Sequence, residues 1–235
     1  MPKTIKIYNE DCMVGMKRIP DGSVDLIITD PPYLLNQKTQ NGMDSSKFTR
    51  RFKKHKEDLS FVSQGFDYEK CFNEFLRICK IPNILIFCSN RQVSTTMSFF
   101  EKRNLMVTLL VWQKTNPAPL CKDRYIGDVE FIVYVKGKRA TFNNGAPFEY
   151  KKKVFTSSIV SPKNRLHPTQ KNVEHIIRFI EVHSHVGDII LDPFMGSGTT
   201  AVACKRLRRR FIGFEINYDY YKAALSRLKD TKNDR

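Results

Sequence analysis

No two cysteines in this 235-residue chain have the C-x-x-C spacing. The six that are present, Cys12, Cys71, Cys79, Cys88, Cys121 and Cys204, are scattered through mostly apolar stretches. That distribution predicts reduced, buried thiols and a cytoplasmic setting, and it offers no ligand set for zinc or another metal. No apolar run reaches the roughly 18 residues of a spanning helix, so a membrane protein is not expected. Met1 to Glu10 lacks the apolar core of an export signal. Acidic residues are in short supply: 24 Asp and Glu stand against 40 Lys and Arg, for a net charge of +16. An excess of that sign and size points to a polyanionic partner, nucleic acid first. Hydrophobic residues still make up 41% of the chain, enough to bury a sizeable core. The length suits one large domain, or one domain with an inserted module.

What is there begins with short apolar runs alternating with helical patterns. Thr4 to Tyr8 alternates around Ile5 and Ile7 and reads as a strand. A short helix is expected over 13–19, then the run Val24 to Thr29 as a buried strand. A helix over 67–79 carries Phe72, Phe75, Leu76 and Cys79 on one face, and Asn83 to Cys88 is a further buried strand. Helix over 94–102 and strand over 106–112 continue the rhythm. Strands alternating with helices predict an α/β fold, a mostly parallel sheet with helices on both faces. Residues 113–165 break that rhythm and read as an insert, although Glu130 to Val135 within it is a strand. Trp112 to Pro119 would wall a pocket or simply pack at a strand end; the sequence supports both equally.

The run Val24 to Thr29 ends in Asp30-Pro31-Pro32-Tyr33. Two prolines cannot continue a ladder, so the strand stops there. The carboxylate and the ring are thereby set at a strand's carboxyl end, where open α/β sheets place their ligands. After it, residues 34–65 show no sustained period over about 30 residues, a length that in a compact domain is usually functional or disordered. This loop holds Lys47, Arg50, Arg51, Lys53 and Lys54, interleaved with Phe48 and Phe52. Any one of these cations reads as a solvated side chain, but the cluster reads as a mobile segment that closes on phosphates.

The last third has its own signature. His167-Pro168-Thr169-Gln170-Lys171 opens a helix, and Asp188 to Asp192 is a strand. Pro193-Phe194-Met195-Gly196-Ser197-Gly198-Thr199-Thr200 then forms a glycine-rich turn into another helix. Glycines there let backbone approach a ligand closely, and the helix start offers N–H groups to a carboxylate. No Lys follows the second glycine, so this is not a phosphate-cradling P-loop. The next strand, Phe211 to Phe214, ends at Glu215, a position from which a carboxylate can accept ribose hydroxyls. Near the N-terminus, Asp11 would take an adenine amine or a ribose, or cap the helix that follows; on the residues alone the cap is favoured.

In this order, DPPY, HPTQK, DPFMGSGTT and FIGFE resemble the permuted β-class amino-DNA methyltransferases, which use S-adenosylmethionine. The match covers roughly residues 1–36, 80–135 loosely and 166–228 closely. The resemblance implies a Rossmann-like, seven-stranded methyltransferase sheet with a circularly permuted motif order and a small inserted target-recognition region. It divides the chain into a catalytic half over 1–112, an insert over 113–165 and a cofactor half over 166–235. Asp30, Pro31 and Tyr33 would hold a flipped base, with Pro32 fixing the turn. Asp192, Pro193, Phe194, Gly196, Ser197, Gly198 and Thr199 would line the cofactor, and Thr169 and Lys171 would hold its carboxylate end. Glu215 would take the ribose, and Asp11 with Cys12 the adenine, which reverses the preference for a cap. The family often has Pro after HPTQK; here it is Asn172. Asp rather than Ser at position 30 leans towards adenine N6 over cytosine N4. The rival readings are an RNA or protein-amide methyltransferase and a non-catalytic DNA-binding relative. DNA is the expected partner; the family includes dimers, and a cognate restriction enzyme is compatible with the reading.

Overall fold

A computed structural model describes residues 4–32, 66–117, 125–160 and 170–231. Tyr33, the loop 34–65 with Lys47, Arg50, Arg51, Lys53 and Lys54, Cys121, and Thr169 lie outside the described residues. In chain order the elements are β1 (Ile5–Tyr8), α1 (Cys12–Met16), β2 (Leu26–Thr29), α2 (Tyr68–Ile78), β3 (Asn83–Cys88), α3 (Asn90–Glu101), β4 (Met106–Lys114) and β5 (Val129–Lys136). A short 3-10 turn (Phe148–Lys151) leads to β6 (Val154–Ser157), and then come α4 (Val173–His183), β7 (Ile189–Asp192), α5 (Thr199–Arg206), β8 (Arg210–Phe214) and α6 (Tyr218–Asp230).

The strands make one eight-stranded sheet in the order β1-β8-β7-β2-β3-β5-β4-β6. Neighbours from β1 through to β3 are parallel, β5 runs antiparallel to β3 and β4, and β6 is parallel to β4. Two points differ from the expectation. The sheet has one strand more than the resemblance implied. Residues 113–165 also supply β5 to the sheet's interior and β6 to its edge. The rhythm breaks there because β5 is wedged, reversed, between β3 and β4 without a crossover helix.

Side-chain alternation splits the core into two layers. Leu26, Ile28, Leu85, Phe87 and Ile190 face α4, α5 and α6, where they meet Ile176, Phe179, Ala203 and Ala224. Ile27, Ile84, Ile86 and Leu191 face α1, α2 and α3, where they meet Met16, Phe72, Phe75 and Phe100. β2 and β3 are buried on both faces, which explains their unbroken apolar runs. α2 is amphipathic: Cys71, Phe72, Phe75 and Ile78 are its buried residues, and Asp67 caps it by accepting from the Lys70 amide at 3.0 Å. Losing the buried Phe75 ring would cost about 3–5 kcal/mol. Asn172 caps α4, accepting from the Glu174 amide at 3.0 Å, so the departure from the family's proline leaves a well-formed helix start. Cys12, Cys71, Cys79, Cys88 and Cys204 are buried free thiols. Among the described residues no helix is long and apolar enough to cross a membrane.

The layering follows from crossover handedness. From β2 the chain passes through α2 to β3 on one side; from β7 it passes through α5 to β8 on the other. Right-handed crossovers in opposite directions put α2 and α5 on opposite faces. A crevice therefore opens between the carboxyl ends of β2 and β7, where the strand order reverses.

Candidate active site

Asp30 immediately follows β2, and Asp192 is the last residue of its neighbour β7. Both line a small cleft of about 60 Å³, walled by Ile28 and Phe87 on one side and by Phe194, Gly196 and Ser197 on the other. This is the crevice that the topology dictates. The prolines after Asp30 are anchored from outside the sheet. The Pro32 carbonyl accepts from the Tyr68 hydroxyl of α2 and, at 3.1 Å, from Gln92 Nε2 of α3. The Gln92 side chain also reaches back to the Ser89 amide at 3.2 Å, so it closes the start of α3 and fixes the turn after Asp30 together.

Asp30 itself faces a cation. Lys171 Nζ lies 2.7 Å from Asp30 Oδ2 and 3.0 Å from Glu130 Oε2, and Lys114 Nζ lies 3.0 Å from Glu130 Oε1. Lys171 is 8% exposed and also sits over the Phe87 ring at 4.8 Å. Burial alone would raise the Glu130 carboxyl, but Lys171 and Lys114 outweigh it and hold it below the usual carboxylate range.

Asp192 has a different setting. Thr200 donates to its Oδ2 at 2.6 Å and the Phe194 amide to its Oδ1 at 3.2 Å. Burial pushes this carboxyl up to about 7 against the pull of those two donors, and the neighbouring Asp30 adds to the rise. The turn beyond it needs its glycines: Gly196 and Gly198 have φ of 51° and 77°, the left-handed region. At Gly198 a Cβ would also come within 2.8 Å of the Ala224 Cβ of α6. Arg227 of α6 props the turn from behind, donating to the Ser197 carbonyl at 2.7 Å and to the Thr199 hydroxyl at 3.1 Å. Ser197 Oγ is 3.5 Å from Gln170 Oε1. Two consecutive residues, Gln170 and Lys171, thus touch the glycine turn and the Asp30 carboxylate.

Of the residues predicted from sequence, the cleft gathers Asp30, Lys171, Asp192, Phe194, Gly196, Ser197 and Thr199. Pro193 is buried, and Gly198 starts α5 as its N-cap. The Lys171 ammonium, expected at the cofactor's carboxylate end, is placed on Asp30 and Glu130. Glu215 lies one strand further along the same carboxyl edge, after β8, and Asp11 and Cys12 lie two strands further, after β1. Asp11 caps α1, accepting from the Met13 amide at 2.7 Å, as the residues alone suggested. The Cys12 thiol is pushed up to about 12 by burial and by Asp11. Glu215 Oε1 accepts from the Asn217 amide at 2.7 Å. Trp112 is a packing residue: its indole N–H donates to Ser157 Oγ at 3.1 Å and its ring lies 5.0 Å from that of His175. Sequence reasoning missed Glu130, Lys114, Arg227, Tyr68 and Gln92. For Glu130 a signal existed, a carboxylate just ahead of the apolar run Phe131 to Val135.

Comparison with known proteins agrees with this geometry. A family model described as DNA methylase (N6_N4_Mtase) matches residues 24–226. The Type II methyltransferase M2.LlaDCHI of Lactococcus lactis subsp. cremoris is 32% identical over 94% of this chain and 88% of its own length. The Type II methyltransferase M2.DpnII of Streptococcus pneumoniae is 32% identical over 95% of this chain and 89% of its own. The crystal structure of the M1.HpyAVI-SAM complex superposes with a TM-score of 0.72 at 30% identity, covering 96% of this chain and 99% of the other. With the Asp30 carboxylate and the glycine turn facing each other across the reversal of strand order, and with matches over nearly its whole length, the chain belongs to the N6/N4 DNA methylase family.

Proposed function

We propose that this enzyme transfers a methyl group from S-adenosylmethionine to the exocyclic N6 amine of adenine within a specific DNA sequence. The observation that carries the reading is the shared cleft, in which Asp30 on one strand end confronts Asp192 and the glycine turn on the next. The donor set suits the cofactor. A buried carboxyl raised to about 7 and a second carboxylate beside it favour a cationic centre, and Phe87 and Phe194 offer apolar surface. Asp192, Phe194 and the Gly196 to Thr199 turn would hold the methionine part, with Thr169 near its carboxylate, while the Lys171 ammonium serves Asp30 and Glu130. Glu215 would hold the ribose, and Asp11 with Cys12 the adenine. When bound, the cofactor supplies an electrophilic methyl group.

The chain's own residues do the rest. An adenine amine is a weak nucleophile because its lone pair is delocalised into the ring. Asp30, with the Pro31 carbonyl, accepts the amine protons and stabilises the positive charge that develops on nitrogen. The anchored Pro32 carbonyl keeps both acceptors in place, and Tyr33 offers a face on which an extruded base stacks. Lys47, Arg50, Arg51, Lys53 and Lys54 contact phosphates, and segments of 113–165 outside the sheet contribute target recognition. Neutralising Arg50, Arg51, Lys53 and Lys54 together should flatten the salt dependence of DNA binding, by about 0.9 in slope per lost phosphate contact; an unchanged slope counts against this assignment.

Methylome sequencing of DNA from a methylation-deficient host expressing the chain, with Asp30→Ala as control, tests the reading. N6-methyladenine in one short motif, absent in the control, is the expected result. N4-methylcytosine overturns the base assignment. No modification by soluble, cofactor-binding protein overturns the DNA reading and favours RNA or a protein amide as substrate. The proposal extends to a cytoplasmic enzyme; a homodimer and a restriction enzyme of matching specificity are compatible with it. Fractionation, light scattering and protection of methylated DNA from cleavage decide these in turn.

A further inference from the structure

Four charged side chains of alternating sign, from four separate segments, form a chain of ion pairs that ends in the cleft at Lys171 and Asp30. Lys114 ends β4, Glu130 heads β5, Lys171 precedes α4 and Asp30 follows β2. Their side chains are between 9% and 19% exposed, so solvent does little to screen them. Glu130 is central: each of its oxygens meets one ammonium at 3.0 Å. Register fixes it there, opposite Trp112 on β4, whose side chain is locked by packing. An ammonium held against Asp30 orients that carboxylate but also withdraws charge from it, which weakens it as an acceptor for the amine. A carboxylate on the far side of the same ammonium offsets that withdrawal and fixes where the ammonium stands.

We propose that Glu130 is a positioning residue for methyl transfer: it shares the Lys171 ammonium with Asp30, so that Asp30 is oriented by Lys171 without losing its strength as acceptor towards the target amine. This rests on the function proposed above. Glu130 touches neither substrate nor cofactor in this scheme and acts only through Lys171.

The test is a double-mutant cycle on kcat, with KM for a duplex oligonucleotide and cofactor affinity measured alongside. Glu130→Gln should lower kcat about tenfold to a hundredfold, with KM and cofactor affinity changed less than about threefold. Glu130→Asp should recover part of the loss. In a Lys171→Gln background the same Glu130→Gln change should alter kcat less than about twofold, because its route to Asp30 is gone. Should Glu130→Gln fail to fold, Glu130→Gln with Lys114→Met removes one charge of each sign and should show the same loss of kcat. A folded Glu130→Gln enzyme with wild-type kcat overturns the proposal, as do losses that multiply in the Lys171→Gln background. A wild-type chain that transfers no methyl group to DNA overturns the underlying reading as well, so the two failures are distinguishable.

Discussion

Asp30 and Asp192 occupy equivalent places, each at the carboxyl end of a buried parallel strand, yet their surroundings differ in kind. Asp30 meets an ammonium at 2.7 Å, itself shared with Glu130. Asp192 is held by a hydroxyl and an amide, and burial lifts it to about 7. Strand-end position alone therefore does not set the role of a carboxylate. The surroundings differ instead: an ammonium aims one aspartate, while a hydroxyl and an amide hold the other in a buried place.

The contrast can be broken most severely at Asp30. Asp30→Ala should cut turnover by at least about a thousandfold with cofactor affinity preserved, measured by methyl transfer and by calorimetry. Near-normal turnover would remove Asp30 from the mechanism.

Asp192 should report through pH. In the unfolded chain it releases its proton near 3.8, and in the folded protein near 7. Between those values the folded state binds more protons, so its contribution to stability is full below about pH 4, falls as pH rises and is gone above pH 7. The span amounts to about 4 kcal/mol. Urea denaturation from pH 4 to 7.5 should show a shallower loss of stability for Asp192→Asn than for the wild type; parallel curves would show that Asp192 is ionised throughout.

The smallest expected effect is at the prop behind the turn. Arg227→Met should weaken cofactor binding by about 1.5 kcal/mol, roughly tenfold, with little change in kcat at saturation. A fall in kcat without a change in affinity would place Arg227 on the catalytic side of the comparison.

Local features were legible in the sequence because local physics makes them. β3 was read to the residue from its apolar run, and Gly196 and Gly198 from the turn they permit. The start of α3 was read late, at 94 rather than at Asn90, because Gln92 extends the helix by reaching back to Ser89. The position of β5 was not legible: Glu130 to Val135 says strand, but nothing in it says which strands lie on either side. The charge chain was hidden for the same reason. Asp30, Glu130 and Lys171 come from distant parts of the sequence, and only the sheet order brings them together. Asp11 shows the converse, a residue whose local role as a helix cap is met while the resemblance assigns it a ligand.

The seam between β2 and β7 also governs when the site can exist. Just ahead of β2, Asp25 Oδ2 accepts from the Ile189 amide at 2.8 Å, across 164 residues of sequence. Closing so long a loop precedes any reward from the contacts it brings, which makes this pairing intrinsically slow. As the chain emerges from the ribosome, Asp30 is made well before β7, the strand that completes its cleft. Until β7 arrives, one side of β2 is an apolar edge with unpaired backbone, a surface open to aggregation. The cleft beside Asp30 thus forms together with protection of that edge.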